Sequence, residues 1–348
     1  MIELLSRVLF YVEKGDPLPI AFKKAKEMRG YKGVNYEEAY ELARLLVLHY
    51  FSLRGKSERK KVKEFLKGTN ELKLPDWMEE ELSKIYDLKA LKESFKEKNV
   101  WIRVNTLKAD EDKVIKSLED KGIVLERDKD IPYVYKVLSG NVRNTEEFRD
   151  YKVVIHDKAS VAVVEALRPE REDIIFDMTS APGMKASLIF ARTENKVKLV
   201  VASDFSLERL EKERRLLKAM GVDVAKIEFI RGDGRYLKVR ADKVLLDAPC
   251  TSSGMISNEP TVLLRLSKER VKEMSELQRS LLENALKLSS YIVYATCSLF
   301  PEEGEEVVKD FRAHPPLNFG SISRGGNRFI PYLHHTEGFF ISLVKGYS

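Results

Sequence analysis

Apolar positions recur at helical spacing through the first third of the chain and then change rhythm. Leu4, Leu5, Val8, Leu9 and Val12 fall on one helical face, which Gly15-Asp16-Pro17 brings to a stop. Asn35, with Glu38 three residues on, is a capping-box-like start for a helix through Leu53. Ser57 to Lys63 is basic and helical, and Pro75-Asp76-Trp77-Met78 opens a further helix. Four or five short helices with apolar stripes predict a small bundle over residues 1–95. Val100 to Leu107 then alternates as a strand does. Asp110 to Lys121 returns to helical spacing, with Val114, Ile115 and Leu118 on one face, and Gly122 ends it. Ile123–Leu125 and Tyr133–Leu138 read as strands, so residues 96–150 form a small α+β module. A module of this size serves nucleic-acid binding in some proteins and is a packing spacer in others.

From 151 to 348 strands and helices alternate, which predicts a third, α/β domain with a doubly wound, mostly parallel sheet. A helix over Ala159–Leu167 leads into the apolar run Ile174-Ile175-Phe176, short and β-branched as a strand covered on both faces should be. Further strands follow at Lys198–Ser203, Ile227–Ile230, Lys243–Leu246 and Tyr291–Ala295, with a helix at Ser206–Met220 closed by Gly221.

Composition narrows the class rather than the function. Hydrophobic residues make up 43% of the chain and charged residues 33%, ordinary for a soluble globular protein though rich in charge. The net charge of +6 is compatible with a polyanionic partner without requiring one. Two cysteines make neither a disulfide framework nor a zinc site, and they suit a reducing cytoplasmic setting. No run is long enough to span a membrane, and Glu3 and Arg7 interrupt the first apolar stretch, so no membrane partner, metal or signal peptide is expected.

The chemistry concentrates where strands end. Ligands of open α/β sheets sit beyond the carboxyl ends of the strands. The turn Asp177-Met178-Thr179-Ser180-Ala181-Pro182-Gly183-Met184-Lys185 lacks the G-x-G-x-x-G of a pyrophosphate site. It suits a close backbone approach to something smaller, such as the methionine part of S-adenosylmethionine. One βαβ repeat later, Asp204 ends the second strand, where an acid can accept both hydroxyls of a ribose. Asp233, in Gly232-Asp233-Gly234-Arg235, follows the third strand and is placed for an adenine amino group. Each acid alone is more often a surface or capping residue; three at successive strand ends point to a nucleoside pocket. The fourth strand runs into Asp247-Ala248-Pro249-Cys250 and the fifth into Thr296-Cys297-Ser298. Buried cysteines are usually small hydrophobes. Both cysteines of one chain at adjacent strand ends instead suggest covalent chemistry on a ring carbon.

Taken together these peptides resemble the Nop/Sun family of RNA (cytosine-5)-methyltransferases. The resemblance rests on Asp177 to Lys185, Leu246 to Cys250, Tyr294-Ala295-Thr296-Cys297-Ser298, Gly338-Phe339-Phe340-Ile341 and the upstream Arg103-Val104-Asn105-Thr106-Leu107-Lys108. It implies a Rossmann-like class I methyltransferase domain, S-adenosylmethionine as cofactor, RNA as partner, and an RNA-contacting role for 96–150. It also implies roles. Thr179, Ser180, Ala181, Pro182, Gly183, Met184 and Lys185 would wrap the methionine end of the cofactor. Asp204 would hold the ribose with Arg209 supporting the loop, and Asp233 would face the adenine. Asp247 would lie between cofactor and base, Cys297 would be the nucleophile, and Cys250 would help product leave.

Met184, Ala186, Ser252 and Gly304 depart from the residues common in that family. The stretch His156-Asp157-Lys158-Ala159-Ser160 is similar to the branch acting on large-subunit ribosomal RNA, which favours ribosomal RNA over tRNA as substrate. The competing reading is a non-catalytic RNA-binding ribosome assembly factor that keeps the fold. Retention of both thiols and the acids favours the enzyme, and a monomer is expected.

Overall fold

The computed structural model describes residues 1–28, 31, 33–68 and 71–346. The chain divides into two compact units, Met1–Lys98 with Thr251–Val271, and Asn99–Cys250 with Lys272–Ser348.

The first unit is helical. Its helices are α1 (Ile2–Glu13), α2 (Leu18–Glu27), α3 (Tyr36–Leu48), α4 (Glu58–Leu66), α5 (Asp76–Ser83) and α6 (Leu88–Lys96). The stripe Leu4, Leu5, Val8, Leu9 and Val12 is buried as the spacing predicts, against Ala21, Ala43, Leu46 and Val47 of α2 and α3. Asn35 caps α3, its side chain accepting from the Glu37 and Glu38 amides. The sequence predicts this helix through Leu53. It ends at Leu48 instead, where the His49 ring bonds the Leu45 carbonyl (2.8 Å), and a 3-10 turn continues over Tyr50–Ser52. The bundle has more helices than the pattern predicts, because α2 and α6 are each only nine or ten residues long.

The excursion Thr251–Val271 completes this unit. Arg44 of α3 is fully buried and ties it in. Its guanidinium donates to the carbonyls of Phe95 (3.1 Å), Lys96 (2.6 Å) and Ser257 (2.6 Å), and pairs with Glu41 at 2.5 Å. The Leu18 amide, at the start of α2, donates to Glu259 (3.2 Å).

The second unit holds two sheets. The smaller has β1 (Val100–Val104), β2 (Val124–Arg127), β3 (Val134–Ser139) and β4 (Val153–Ile155), antiparallel in the order β2-β3-β1-β4. Helix α7 (Glu111–Asp120) packs Val114 and Leu118 against Ile102 and Val104. The fourth strand lies beyond residue 150, where the sequence pattern ends the module. A three-residue strand between a one-turn helix, α8 (Glu146–Arg149), and α9 (Lys158–Leu167) leaves no periodicity to read.

The larger sheet carries β5 (Ile174–Asp177), β6 (Leu199–Asp204), β7 (Ile227–Arg231), β8 (Lys243–Asp247) and β9 (Tyr291–Thr296) in parallel, ordered β9-β8-β5-β6-β7. Beyond β9 the sheet turns antiparallel through β13 (Phe339–Lys345), β12 (Gly326–Phe329) and β11 (Ser321–Ser323), with β10 (Arg312–His314) on β13. Helices α10 (Met184–Arg192), α11 (Leu207–Ala219) and α12 (Lys268–Leu288) follow β5, β6 and β8, and short α13 (Glu305–Val308) and α14 (Pro331–His334) lie near the end.

Alternation along the strands sends side chains to two cores. Ile175, Val200, Ala202, Leu245, Val293 and Ala295 join one, and Phe176, Val201, Val244, Leu246, Ile292 and Tyr294 the other. Burial on both faces makes these strands read as continuous apolar runs, and it leaves their carboxyl ends as the polar rim. Among the described residues no helix is long and apolar enough to cross a membrane.

Candidate active site

The parallel register sets the site. Asp247 pairs with Ala295 across β8 and β9, so the peptides that follow leave the sheet side by side. The Ala248 amide bonds the Ala295 carbonyl (2.8 Å) and extends the ladder by one rung. Cys250 and Cys297 then bring their Sγ atoms to 2.9 Å, both half-buried and neither in a disulfide.

Beside them, β5 hands over to α10 through a tight turn. The Ala181–Pro182 peptide is cis, and Gly183 caps α10 with φ +96°. A Cβ at Gly183 would stand 2.8 Å from the Glu213 Cγ, so backbone conformation and space both require glycine there. The Thr179 hydroxyl donates to the Asp247 carbonyl (2.8 Å), joining the turn to β8. Ser180 donates to Glu213 (2.8 Å), and its amide to the Ser203 carbonyl (2.9 Å), joining the turn to α11 and β6. Lys185, on the first turn of α10, donates to Asp247 Oδ2 at 2.5 Å. Burial disfavours its charge, but the Asp247 carboxylate and then the Cys297 thiol outweigh that and raise its pKa.

Asp204 is buried at the end of β6, bonded by the Ser206 amide (2.8 Å) and paired with Arg209 (2.8 Å). Arg209 also donates to the Ala181 carbonyl (2.5 Å), linking the acid of the second strand to the turn of the first. Asp233 lies across from it, the Gly232 amide bonding the Asp204 carbonyl (3.1 Å). Its carboxylate is gripped by the Arg235 guanidinium (2.6 Å), which lowers its pKa. Thr179 to Lys185, Asp204, Arg209, Asp233, Asp247, Cys250 and Cys297 therefore all stand along the carboxyl rim of one sheet.

Two buried acids back the rim, Asp177 from the strand-end pattern and Glu213 from outside it. Asp177 is 1% exposed, its Oδ2 has no partner, and burial, Glu213 and Asp247 push its pKa well above the carboxylate range. Glu213 is fully buried in α11 and its Oε1 has no partner. Burial raises its pKa to about 7, with Asp204 adding to the rise and Ser180 and Arg209 opposing it. Two aromatic rings, Phe205 next to Asp204 and Tyr236 near Asp233, stand 73% and 72% exposed on this rim. An apolar residue directly after a strand-end acid is the signal that could have found Phe205. Among the described residues no cluster of three metal-ligating side chains occurs.

The upstream Arg103-Val104-Asn105 peptide faces inward. Arg103 is fully buried, bonded to His156 (3.1 Å) and to Ser187 of α10 (2.6 Å). Asn105 donates to the carbonyls of Tyr151 (2.9 Å) and Met220 (2.8 Å). Gly304, at a family position where Asn is common, has no room for a side chain: a Cβ would lie 2.6 Å from Arg328 Nη2 and 2.9 Å from the Phe340 ring. Ser252, where Gly is common, holds the left-handed φ of +59° that glycine favours.

Comparison with known proteins agrees with this architecture. The mouse 28S rRNA (cytosine-C(5))-methyltransferase is 32% identical over 308 residues, covering 77% of this chain and 38% of that protein. The probable ribosomal RNA small subunit methyltransferase B of Bacillus subtilis is 24% identical over 295 residues, covering 78% of this chain and 66% of that protein. The chain thus spans less than two thirds of the length of these curated relatives. The crystal structure of PH0851 superposes with a TM-score of 0.84 at 23% identity, over 99% of this chain and 98% of that one. A family model for the ferredoxin-like domain of RsmF/B-like methyltransferases matches residues 74–139. Another, described as 16S rRNA methyltransferase RsmB/F, matches residues 164–345. That match takes in just over half of the 348 residues and the whole strand-end rim, and the chain belongs to the RsmB/F methyltransferase family.

Proposed function

We propose that this protein transfers a methyl group from S-adenosylmethionine to carbon 5 of a cytosine in RNA, ribosomal RNA before tRNA. The observation that carries the reading is the pair of thiols 2.9 Å apart beside the Lys185–Asp247 ion pair. The family and the relatives named for ribosomal RNA cytosine methylation support it.

The rim suits the cofactor. Its ammonium and hydroxyls need acceptors, and the two buried carboxyl oxygens without partners, Asp177 Oδ2 and Glu213 Oε1, adjoin the turn meant to hold it. Glycine at 183 lets Glu213 close against that turn. Thr179 to Lys185 would hold the methionine end, Asp204 with Arg209 the ribose, and Asp233 the adenine, with Phe205 and Tyr236 offering faces for stacking. When bound, the cofactor supplies an electrophilic methyl group.

The protein's own residues make the base reactive. Carbon 5 of cytosine is too poor a nucleophile by itself. The Cys297 thiolate adds to carbon 6, forming an S–C bond and shifting electron density to carbon 5, which then takes the methyl. Asp247 bonds the cytosine edge, and Lys185 holds it in place and offsets the negative charge that develops on the ring. A base then takes the carbon 5 proton, the freed electron pair restores the 5,6 double bond and expels the Cys297 thiolate, and Cys250, within contact distance of Cys297, assists that release. The target base must be unstacked to enter, so a flexible or partly melted RNA segment is expected. The 96–150 module is assigned to RNA contact and 1–95 to a helical accessory domain.

The test is transfer of labelled methyl from S-adenosylmethionine to RNA lacking the modification, resolved by RNA species and nucleoside. Label in 5-methylcytosine of one ribosomal RNA is the expected result; label in another nucleoside, or none with cofactor bound, defeats the reading. Cys297→Ala should abolish transfer, and Cys250→Ala should let a covalent RNA adduct accumulate on denaturing gels. Loss of the adduct in Cys250→Ala would reverse the roles of the two thiols.

A further inference from the structure

We propose that Gln278 and Glu303 are positioning residues that set the separation of the two thiols. The inference deepens the proposed function and rests on it. Gln278, on α12, is fully buried, and its Nε2 donates both to the Pro249 carbonyl (2.8 Å) and to Glu303 Oε1 (3.0 Å). Pro249 is the residue before Cys250. Glu303 is also fully buried, and its Oε2 accepts from the Ser298 hydroxyl at 2.5 Å. Ser298 is the residue after Cys297. One amide and one carboxylate thus connect the immediate neighbours of both cysteines.

The anchor is itself held. The Tyr294 and Thr296 hydroxyls of β9 donate to the Glu303 carbonyl at 2.7 and 3.0 Å. Arg328 of β12 donates to the Ser298 carbonyl (2.5 Å), and the Ser298 hydroxyl accepts from the Phe300 amide (3.1 Å). The loop after Cys297 is therefore fixed to the strand that carries it, whereas Gln278 reaches across to the Cys250 loop. The register of β8 and β9 starts the two loops together but does not control them at Cys250 and Cys297, two residues beyond the last rung. A buried, charge-assisted bridge does. Two thiols that act in succession on one base need that control, because an error of about 1 Å costs on the order of a hundredfold in rate.

The variants Gln278→Met, Glu303→Ala and the milder Ser298→Ala test the bridge, with Glu303→Gln as the conservative control, since an amide still accepts from Gln278. Phenylarsine oxide reads the thiol spacing without any turnover, because trivalent arsenic must be held by two sulfurs at once. The wild type should capture one arsenical per chain. Gln278→Met and Glu303→Ala should weaken capture about tenfold or more. Their kcat should fall by a similar factor while S-adenosylmethionine affinity and the KM for RNA stay within about twofold. Glu303→Gln should recover most of both, and Ser298→Ala should show the same split in weaker form. Unchanged capture and kcat in folded variants would overturn the proposal. So would losses in cofactor affinity and melting temperature that parallel the loss of capture, in Ser298→Ala as in the others. Wild-type capture without methyl transfer to any RNA would instead count against the proposed function and leave the bridge standing.

Discussion

Lys185 is the residue on which the charge balance of the site turns. Its ammonium is mostly buried, 2.5 Å from Asp247, with the Cys297 thiol contributing to its raised pKa. A buried cation beside Asp247 and Cys297 places positive charge where negative charge develops as the thiol adds to the base. Lys185→Met keeps the length of the side chain and removes the charge. We expect kcat/KM for methyl transfer to fall by roughly 10²- to 10³-fold, the scale of losing one preorganised charge contact. Alkylation of Cys297 by iodoacetamide near neutral pH should slow in parallel, which a role confined to cofactor binding would not produce. Asp247 and both cysteines were legible in the sequence because each sits within three residues of a strand end, and strand ends can be read from apolar runs; Lys185, eight residues past the end of β5, came only with the family resemblance of its turn. Gln278 was not. It lies mid-helix, where a glutamine usually faces water, and its two partners are 29 and 25 residues away.

At the scale of elements, α11 couples the turn after β5 to pH. Glu213 packs against Gly183 and Ser180, faces Asp204 and Arg209, and has its pKa raised from 4.5 to about 7. The folded protein therefore keeps this proton at pH values where the unfolded chain has lost it. Stability from Glu213 is greatest below about pH 4.5 and is lost as pH rises toward 7, by up to about 3 kcal/mol. Glu213→Gln keeps the bond from Ser180 and removes the titration. Denaturant midpoints compared at pH 5.5 and 8 should show the substitution gaining relative to the wild type at pH 8. A constant difference between the two would sink this account. The elements themselves were largely foreseeable: every strand of the parallel sheet lies within a residue or two of its predicted span. Three-residue strands such as Val153–Ile155 and Ser321–Ser323 were not, because three residues carry no period. The helix once extended to Leu53 shows the reverse error, an apolar stripe that continues after the backbone has changed to a 3-10 turn.

At the scale of the molecule, the chain leaves its second unit after Cys250, completes the first over Thr251–Val271, and returns at Lys272. Nothing in the hydrophobic pattern of 251–271 announces this, because a segment that finishes another unit's core looks like any apolar loop. Ile256, Val262 and Leu263 are buried there, and Leu264 packs with the α1–α3 core. A fragment of residues 1–98 made alone should thus unfold at lower denaturant than the same unit in the intact protein. Arg44→Ala in the full chain should cost about 3–5 kcal/mol, since the Phe95, Lys96 and Ser257 carbonyls lose a buried charged donor. Thermal unfolding of both would check this.

The same excursion fixes an order of events during synthesis. Ser257 follows Arg44 by 213 positions, a wait of roughly 10–40 s at ordinary ribosome speeds. For that interval the N-terminal helices have emerged while the guanidinium at their centre still lacks one of its acceptors. The unit begun first therefore stays unfinished until most of the second has been made, and a ribosome that stalls before residue 257 leaves a helical unit open to proteases and chaperones.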